Sequence, residues 1–593
     1  MLEALNKTRS AEVEQWLGAF AAALAADDPA ALNKLFLADA HWRDLVALTW
    51  RIKTFSSKAR IVDELRRSNT ALRPVNFNLD RERTAPRQVD RVGRHVIEAM
   101  FRFETAMGRA SGVLRLMQDA DGALKAWTLL TALDEIKGFE EMVGQRRPRG
   151  ESYSRDFHGP NWLDKRNAAL AYQDREPAVM IVGGGHAGLS IASRLTQLGI
   201  DTLIVDREAR IGDNWRTRYH ALTLHNQVQV NHLPYLPFPP NWPVYIPKDK
   251  LARWFESYVE SMEINFWTNT ELAGGAYDEA AGRWTVQLKQ PTGTRTLRPR
   301  HIIMATGVSG IPRIPDIPSL KNFAGPVLHS SQYGDSNEWR DRPVLVVGTG
   351  NSGHDIAQDL YSNGAKVTLV QRSPTSVFSI EPSGQLPYAL YSQGYPLDEC
   401  DLLAASMPLQ PLTQAHKMMT AEARAFDRPL LDGLTQAGFK VDTEDETGWL
   451  FKYLNRGGGY YFNVGCSELI VEKKIPVVQF ADIEAFVAKG ARLRNGDTLR
   501  AELIVLATGF TGPESLVQKL FGDAVAERIG RVWGFDDVEQ EIRNVWTRTR
   551  QPGLWFMSGS FAQSRIYSKY LAQQIKAIEE GLLLSALNAR ALD

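Results

Sequence analysis

Two glycine runs carry the plainest chemistry in this chain. VGGGHAG holds Gly183, Gly185 and Gly188, and VGTGNSG holds Gly348, Gly350 and Gly353, each spaced GxGxxG. In such a run the first glycine makes a tight turn, the second lets a pyrophosphate approach the backbone, and the third lets a helix pack on a strand. The phosphates then meet the positive end of that helix. The residues downstream of each run distinguish the two sites. After the first, TLIVD ends on Asp206, about 20 residues along, where a carboxylate accepts ribose hydroxyls, and Arg207 comes next. After the second, VTLVQRS ends without an acid on Arg372 and Ser373, a pair suited to a 2′-phosphate. The first site therefore expects an adenine dinucleotide with a free ribose. The second expects NADPH, with NADH still allowed, and Asn351 and Ser352 open its helix. An enzyme needs both sites when hydride passes from a nicotinamide to a flavin, so reductase chemistry is the minimum reading.

Each run lies in a unit of strand, turn, helix and strand. Residues 178–206 place Leu189, Ala192, Leu195 and Leu198 on one helical face between two apolar runs, and residues 342–374 repeat the arrangement. The fold class expected is α/β, with two Rossmann-like dinucleotide-binding domains preceded by a small α+β cone domain. At 593 residues the chain exceeds a single core. We expect the cone at 1–150, a linker at 151–175, a first nucleotide domain in two parts at 176–340 and 509–593, and a second at 341–508 carrying an insertion.

The N-terminal segment begins with Val13, Trp16, Leu17, Phe20 and Leu24 at helical spacing and breaks at Asp27-Asp28-Pro29. Strand-like runs follow at 95–104, 111–119 and 123–136, with Asp121-Gly122 as a hairpin signal. Asp39, His41 and Asp44, in LFLADAHWRDL, either line a polar pocket or satisfy backbone groups near a helix end. The linker, QRRPRGESYSRDFHGPNWLDKR, has little periodicity and suits a wrap over a neighbour. Residues 385–470 read as inserted helices that shape a substrate opening, where Gly457, Gly458 and Gly459 beside Tyr460 and Tyr461 form either a lid or a turn. Residues 559–583 read as a loop and then a helix.

Composition narrows the partners. With 44% hydrophobic and 23% charged residues the chain is an ordinary globular one, and 69 basic against 69 acidic residues leave no net pull toward nucleic acid or anionic lipid. The N-terminus lacks a leader pattern and no run reaches the roughly 18 apolar residues that span a bilayer, so a cytoplasmic protein without a membrane partner is expected. Cys400 and Cys466 stand too far apart for a CxxC pair, and no metal site is expected.

FAGPVLHSSQY, at 323–333, matches FxGxxxHxxxY in Phe323, Gly325, His329 and Tyr333, between IIMATG at 302–307 and the second glycine run. LIVLATGF, at 503–510, is a second Ala-Thr-Gly stretch. With REARIGDNWRTRYHALTLHNQ at 207–227, these motifs resemble the flavin-containing monooxygenases over about residues 176–593. The resemblance implies FAD in the first site, lined by Gly212, Trp215, Arg216, His225, Asn226, Thr306, Gly307 and Gly509. Asn226 falls on the asparagine beside the flavin's reacting edge and is the one catalytic candidate, while His329 braces the joint between domains. The first 150 residues resemble the SnoaL-like cone domains, the fold of nuclear transport factor two. That unit is then a pocket wall or the oligomerisation surface of a homodimer.

The activity implied by this resemblance is NADPH-dependent insertion of one oxygen atom from dioxygen into a small organic substrate, at nitrogen or sulfur, through a flavin (hydro)peroxide. Tyr333 agrees, because Baeyer–Villiger enzymes typically carry Trp there. Baeyer–Villiger oxidation of ketones with NADPH or NADH stays open, since some relatives with the Tyr form and an N-terminal extension look like such catalysts. A quinone or disulfide reductase on the same scaffold is the reading from another class.

Overall fold

The computed structural model describes residues 2–149, 157–308 and 310–583. Both glycine turns sit at the ends of parallel five-stranded sheets. The first sheet runs Asn265–Trp267, Thr202–Val205, Val179–Val182, His301–Met304, Leu554–Phe556. Val179, Met180, Ile181, Ile302 and Ile303 are fully buried, as strands covered on both faces must be. Helix His186–Gln197 covers one face, and the long helix Phe561–Glu579 packs against it.

The second sheet runs Val327–His329, Leu503–Leu506, Pro343–Val347, Lys366–Gln371, Val477–Gln479. Its edge strand lies inside FAGPVLHSSQY, so the boundary expected at 340 falls too late. The chain has already joined the second sheet at Val327, because Val327, Leu328 and His329 pair with Ile504, Val505 and Leu506. The two sheets are linked by a short antiparallel crossing in which Ile311 and Pro312 pair with Thr511 and Phe510. Each sheet also carries a three-stranded antiparallel flap, Glu271–Asp278 to Leu297 in the first and Ile483–Val487 to Arg500 in the second.

The N-terminal unit is a seven-stranded sheet against helices Leu2–Ala25, Pro29–Leu35 and Lys58–Leu72. Its three longest antiparallel strands, Arg94–Glu104, Gly108–Gln118 and Leu124–Ile136, match the apolar runs of the sequence, and Asp28 caps the second helix by accepting from the Ala30 and Ala31 amides. Rings of Trp16, Phe20, Phe36, Phe77, Phe101 and Phe103 interlock in its interior. The polar trio is spent on structure. Asp44 accepts from the Leu48 and Thr49 amides and from the Thr49 and Thr131 hydroxyls, Asp39 pairs with Arg94 at 2.7 Å, and His41 Nδ1 meets Ser56 Oγ at 2.8 Å.

Part of the expected linker is a helix, Trp162–Ala171, fastened by a capping box between Asn161 and Asp164. It lies along the edge strand of the first sheet, where Arg166 donates to the Ile264 carbonyl at 2.6 Å and Trp267 Nε1 to the Leu170 carbonyl at 2.8 Å. Residues 150–156 of that stretch lie outside the described residues. The insertion consists of helices Leu397–Ala405, Leu409–Phe426, Arg428–Gln436 and Gly448–Arg456. Gly457, at φ +71°, ends the last of these, and Tyr460–Asn463 then pairs with Ser376–Ser379. The glycine triplet is thus a helix stop leading into a strand whose Tyr461 is fully buried.

Candidate functional site

The first turn has the shape its glycines require. Gly183 takes φ +106°, and a Cβ on Gly188 would stand 2.1 Å from the Gly183 carbonyl oxygen. Gly185 differs: a Cβ there would meet only Asn214 Nδ2 at 3.0 Å, leaving an open cradle at the start of helix His186–Gln197. Asp206 accepts from the Gly184 amide at 2.6 Å and the Glu208 amide at 2.9 Å, one per oxygen, so each oxygen keeps a lone pair free. Arg207 is exposed beside this turn, 3.4 Å from Glu208. Gly212 sits at φ +86° with the Ala252 carbonyl 2.4 Å from where a Cβ would be.

Trp215 lies near the rings of His186 and Phe561, and its Nε1 is buried without a partner. Such a donor is open to an acceptor from a bound molecule or an ordered water. Arg216, by contrast, is engaged by Asp213 and Glu256, so the structure gives it the task of fixing the short helix Asp213–Arg216. Thr306 and Gly307 follow the buried strand His301–Met304, with Gly307 at φ +71°.

The second turn repeats the first closely. Gly348 takes φ +118°, a Cβ on Gly353 would stand 2.0 Å from the Gly348 carbonyl oxygen, and Gly350 has only the Tyr460 carbonyl at 3.8 Å. Asn351 Oδ1 accepts from the Phe462 amide at 2.8 Å, tying this turn to the insertion, and Ser352 is half-buried beside it. Gln371 is buried, with its carboxamide bonded both ways to the Lys440 backbone at 2.9 and 2.7 Å. Arg372 and Ser373 beyond it are exposed, with Arg372 Nε 3.4 Å from Ser373 Oγ.

His329 and Tyr333 act as braces. The Ser331 amide donates to His329 Nδ1, which leaves Nε2–H to donate to the Gly509 carbonyl at 3.0 Å, and burial pushes this imidazole down and keeps it neutral. Gly509, at φ +82°, directly precedes Phe510 and Thr511 of the antiparallel crossing between the two sheets. Tyr333 is buried and donates to Asp359 at 2.6 Å. A brace the sequence did not suggest joins the two nucleotide units: Tyr219 donates to the buried carboxyl of Asp355, on the second glycine helix.

Between these units lies a cavity of about 350 Å³. Its walls are mainly apolar and come from the insertion, from Trp546 and from the face of helix Phe561–Glu579 that carries Ile566 and Tyr567. Ser560 and Gln563, which form the capping box of that helix, also reach it. Strand Thr223–Gln227 passes alongside. Asn226 Nδ2 donates to Tyr388 Oη at 3.3 Å, and Tyr388 lines the cavity. His225 lies one residue away, its ring edge-on to Phe462 and its carbonyl held by Gln385 at 2.9 Å. Burial pushes the Tyr388 hydroxyl up to about 12, so it is a neutral donor and acceptor. The N-terminal unit contributes Arg43, Arg91 and Arg115 to the same lining. No local signal marks Tyr388 or these arginines, because only the packing of three separate units gathers them.

Cys400 and Cys466 are both buried and free, on different helices, and burial pushes their thiols up. Among the described residues no group of three or more His, Cys, Asp or Glu is arranged to hold a metal ion, and no helix is long and apolar enough to cross a membrane.

Comparisons with known proteins agree with this architecture. Residues 180–388 match the family model described as pyridine nucleotide-disulphide oxidoreductase. The indole-3-pyruvate monooxygenase YUCCA1 of Oryza sativa subsp. japonica is 29% identical over 349 residues, covering 59% of this chain and 80% of the relative. The probable indole-3-pyruvate monooxygenase YUCCA4 of Arabidopsis thaliana is 30% identical over 335 residues, covering 56% of this chain and 75% of the relative. Among solved structures, cyclohexanone monooxygenase from Rhodococcus sp. Phi1 bound to NADP+ superposes with a TM-score of 0.51 at 15% identity, over 68% of this chain and 85% of that one. OTEMO in complex with FAD and NADP gives 0.51 at 16% identity, over 69% and 87%. These last two likenesses concern the fold. The identity to the Arabidopsis relative across three quarters of its length carries the assignment: this chain is an enzyme that belongs to the flavin monooxygenase family.

Proposed function

We propose that the protein is an NADPH-dependent flavin monooxygenase that places one atom of dioxygen on the nitrogen or sulfur of a small organic substrate held in the cavity. FAD would be held by the first turn through Gly183, Gly185 and Gly188, with Asp206 on its ribose and Trp215 Nε1 as a donor. NADPH would be held by Gly348, Gly350, Gly353, Asn351 and Ser352, with Arg372 and Ser373 on the 2′-phosphate. Bound FAD supplies the acceptance of hydride and the activation of dioxygen. The chain's own work is to orient and to exclude water. Asn226 presents its amide at the boundary between the first nucleotide unit and the cavity, Tyr388 fixes that amide's direction, and the apolar walls keep the reacting region dry. The 3.3 Å contact between Asn226 and Tyr388 carries this reading, because it ties the proposed flavin side to a residue of the mainly apolar cavity wall.

Ketone oxidation stands as a second reading, supported by one observation. Tyr333 is bonded to Asp359 at 2.6 Å within the second unit, so the identity of that motif position acts on a brace and does not select between heteroatom and ketone. The disulfide form of the reductase reading finds no paired thiols among the described residues, and the quinone form is separated by oxygen uptake in step with NADPH.

The test is the purified protein with FAD and NADPH, offered a thioether, a tertiary amine and a cyclic ketone in parallel, with oxygen uptake and product mass recorded. A sulfoxide or N-oxide formed in step with NADPH is the expected result, and a lactone would move the assignment to the second reading. NADPH oxidation that yields no oxygenated product from any of the three would defeat both.

A further inference from the structure

The cavity wall contributed by the N-terminal unit is unusually charged. Glu98, on strand Arg94–Glu104, is buried and receives three guanidinium groups: Arg87 at 2.9 Å, Arg91 at 2.8 and 3.0 Å, and Arg115 at 2.8 Å. Three positive charges face one negative charge. Arg91 and Arg115 also line the cavity, and Arg115 is fixed by further bonds to Thr128 at 3.2 Å and Ser406 at 2.7 Å.

The other ionisable groups nearby do not offset this excess. Arg43 and Glu541 form a closed pair at 2.6 and 2.8 Å, with the third nitrogen of Arg43 on the Ala405 carbonyl. His416, in the opposite wall, is neutral because burial pushes it down to about 4. Asp401 is matched by Arg565 at 2.7 Å. Asp398 and Glu399 belong to the start of helix Leu397–Ala405, the end away from Ser406, where Arg83 pairs with Asp398 at 2.8 Å and the Thr84 amide and hydroxyl donate to Glu399. Carrying extra cations out of water without counter-charges is costly, and an anion arriving with the ligand removes that cost. A guanidinium's planar fork matches a carboxylate in particular.

We propose that the cavity takes an amphipathic organic acid, with its carboxylate held by Arg91 and Arg115 of the N-terminal unit and its apolar body against the insertion helices and helix Phe561–Glu579. The inference deepens the oxygenation reading by naming the substrate class, and it makes the N-terminal unit part of the substrate site. Oxygenation then occurs on a group of the same molecule that reaches Tyr388 and Asn226, while the carboxylate stays unchanged.

Calorimetric titration of the full-length flavin-loaded protein with octanoate and with 1-octanol tests it. Octanoate should bind at least about tenfold more tightly, the preference should weaken as salt rises, and Arg91→Ala should abolish it while Arg91→Lys restores part. Arg91 is partly exposed, and an unchanged melting temperature would show that R91A has kept its fold. Octanoate binding no more tightly than octanol, or an R91A protein that retains the preference, overturns the inference. The two readings fail separately: a carboxylate preference in a protein that makes no oxygenated product defeats only the proposed reaction. Oxygenation of a neutral thioether without any carboxylate preference defeats only this assignment.

Discussion

The side-chain amide of Asn226 donates to the hydroxyl of Tyr388 across 3.3 Å, and these two residues come from different parts of the chain. Asn226 lies near the end of a strand beyond the first glycine unit, whereas Tyr388 lies in a 3-10 segment, Ser383–Ser392, that leads into the insertion. Tyr388 also faces Ser560, the cap of the helix Phe561–Glu579. One hydroxyl thus registers three elements against each other at the cavity wall. The amide direction is set by the insertion, which gives a physical route by which that region influences chemistry.

Asn226→Ala should therefore lower oxygenated product by on the order of 10²-fold, the scale for losing one oriented donor at a reacting centre, while FAD content and reduction by NADPH stay near normal. Tyr388→Phe should have a smaller effect of the same kind, because Asn226 keeps its donor but loses its orientation. The ratio of product formed to NADPH consumed reports both. A loss of flavin reduction in N226A would place the residue at the wrong step.

The contrast between Gly185 and Gly188 gives a second expectation. At Gly185 the backbone is extended and a Cβ has only Asn214 nearby, so Gly185→Ala should fold with a near-normal melting temperature and yet purify without flavin. A Cβ at Gly188 would stand 2.1 Å from a carbonyl oxygen, so Gly188→Ala must push the helix off its strand, at about 1–3 kcal/mol. Flavin absorbance and thermal melting separate the two outcomes, and a yellow G185A protein would refute the cradle.

These turns were legible in the sequence because glycine spacing encodes a purely local geometry: a bend, an open approach and a close packing within six residues. The two nucleotide units were legible for the same reason. The edge strand Val327–His329 was not, since three residues show no period and their pairing partner lies at Ile504–Leu506. The linker helix announced itself only through Asn161 and Asp164, a capping pair easily lost in a polar stretch. Tyr388, Arg91 and Arg115 carried no signal at all, because their roles depend on which distant units share a cavity.

Arg372 should set coenzyme choice. It is exposed at the end of strand Lys366–Gln371, and Gln371 itself is consumed by the Lys440 backbone, which leaves Arg372 and Ser373 to meet the phosphate. Charge-assisted hydrogen bonds contribute about 1.5–3 kcal/mol, and exposure favours the lower end, so Arg372→Ala should reduce the NADPH-over-NADH ratio of kcat/KM by about tenfold. An unchanged ratio would move recognition of the 2′-phosphate to another residue.

The N-terminal unit is fastened to the rest by the buried pair of Arg43 and Glu541. Glu541→Ala leaves a guanidinium buried without its counter-charge and should cost about 3–5 kcal/mol in the stability of the docked unit. Replacing both partners with apolar residues should recover much of that loss. Urea unfolding followed by tryptophan fluorescence, with Trp42 and Trp50 in the docked unit, measures it; an E541A protein as stable as the parent would mean the pair contributes nothing to docking.

Glu98 gives a pH dependence with a definite sign. Burial pushes its carboxyl up, but Arg115 and Arg91 outweigh that and hold it at about 2, below its ordinary 4.5. A depressed folded-state value means the stabilisation is fully present above pH 4.5 and is lost progressively as the pH falls toward 2. Glu98→Gln removes the one carboxylate among three guanidiniums, so at pH 7 it should cost about 3–5 kcal/mol. Below pH 4.5 the wild-type protein begins to lose the same contribution, and the difference between the two proteins should shrink with each step toward acid. Urea midpoints for both proteins at neutral pH and at several values below 4.5 trace this convergence. A difference that stayed flat across that range would show that the arginine cluster does not draw on the Glu98 charge.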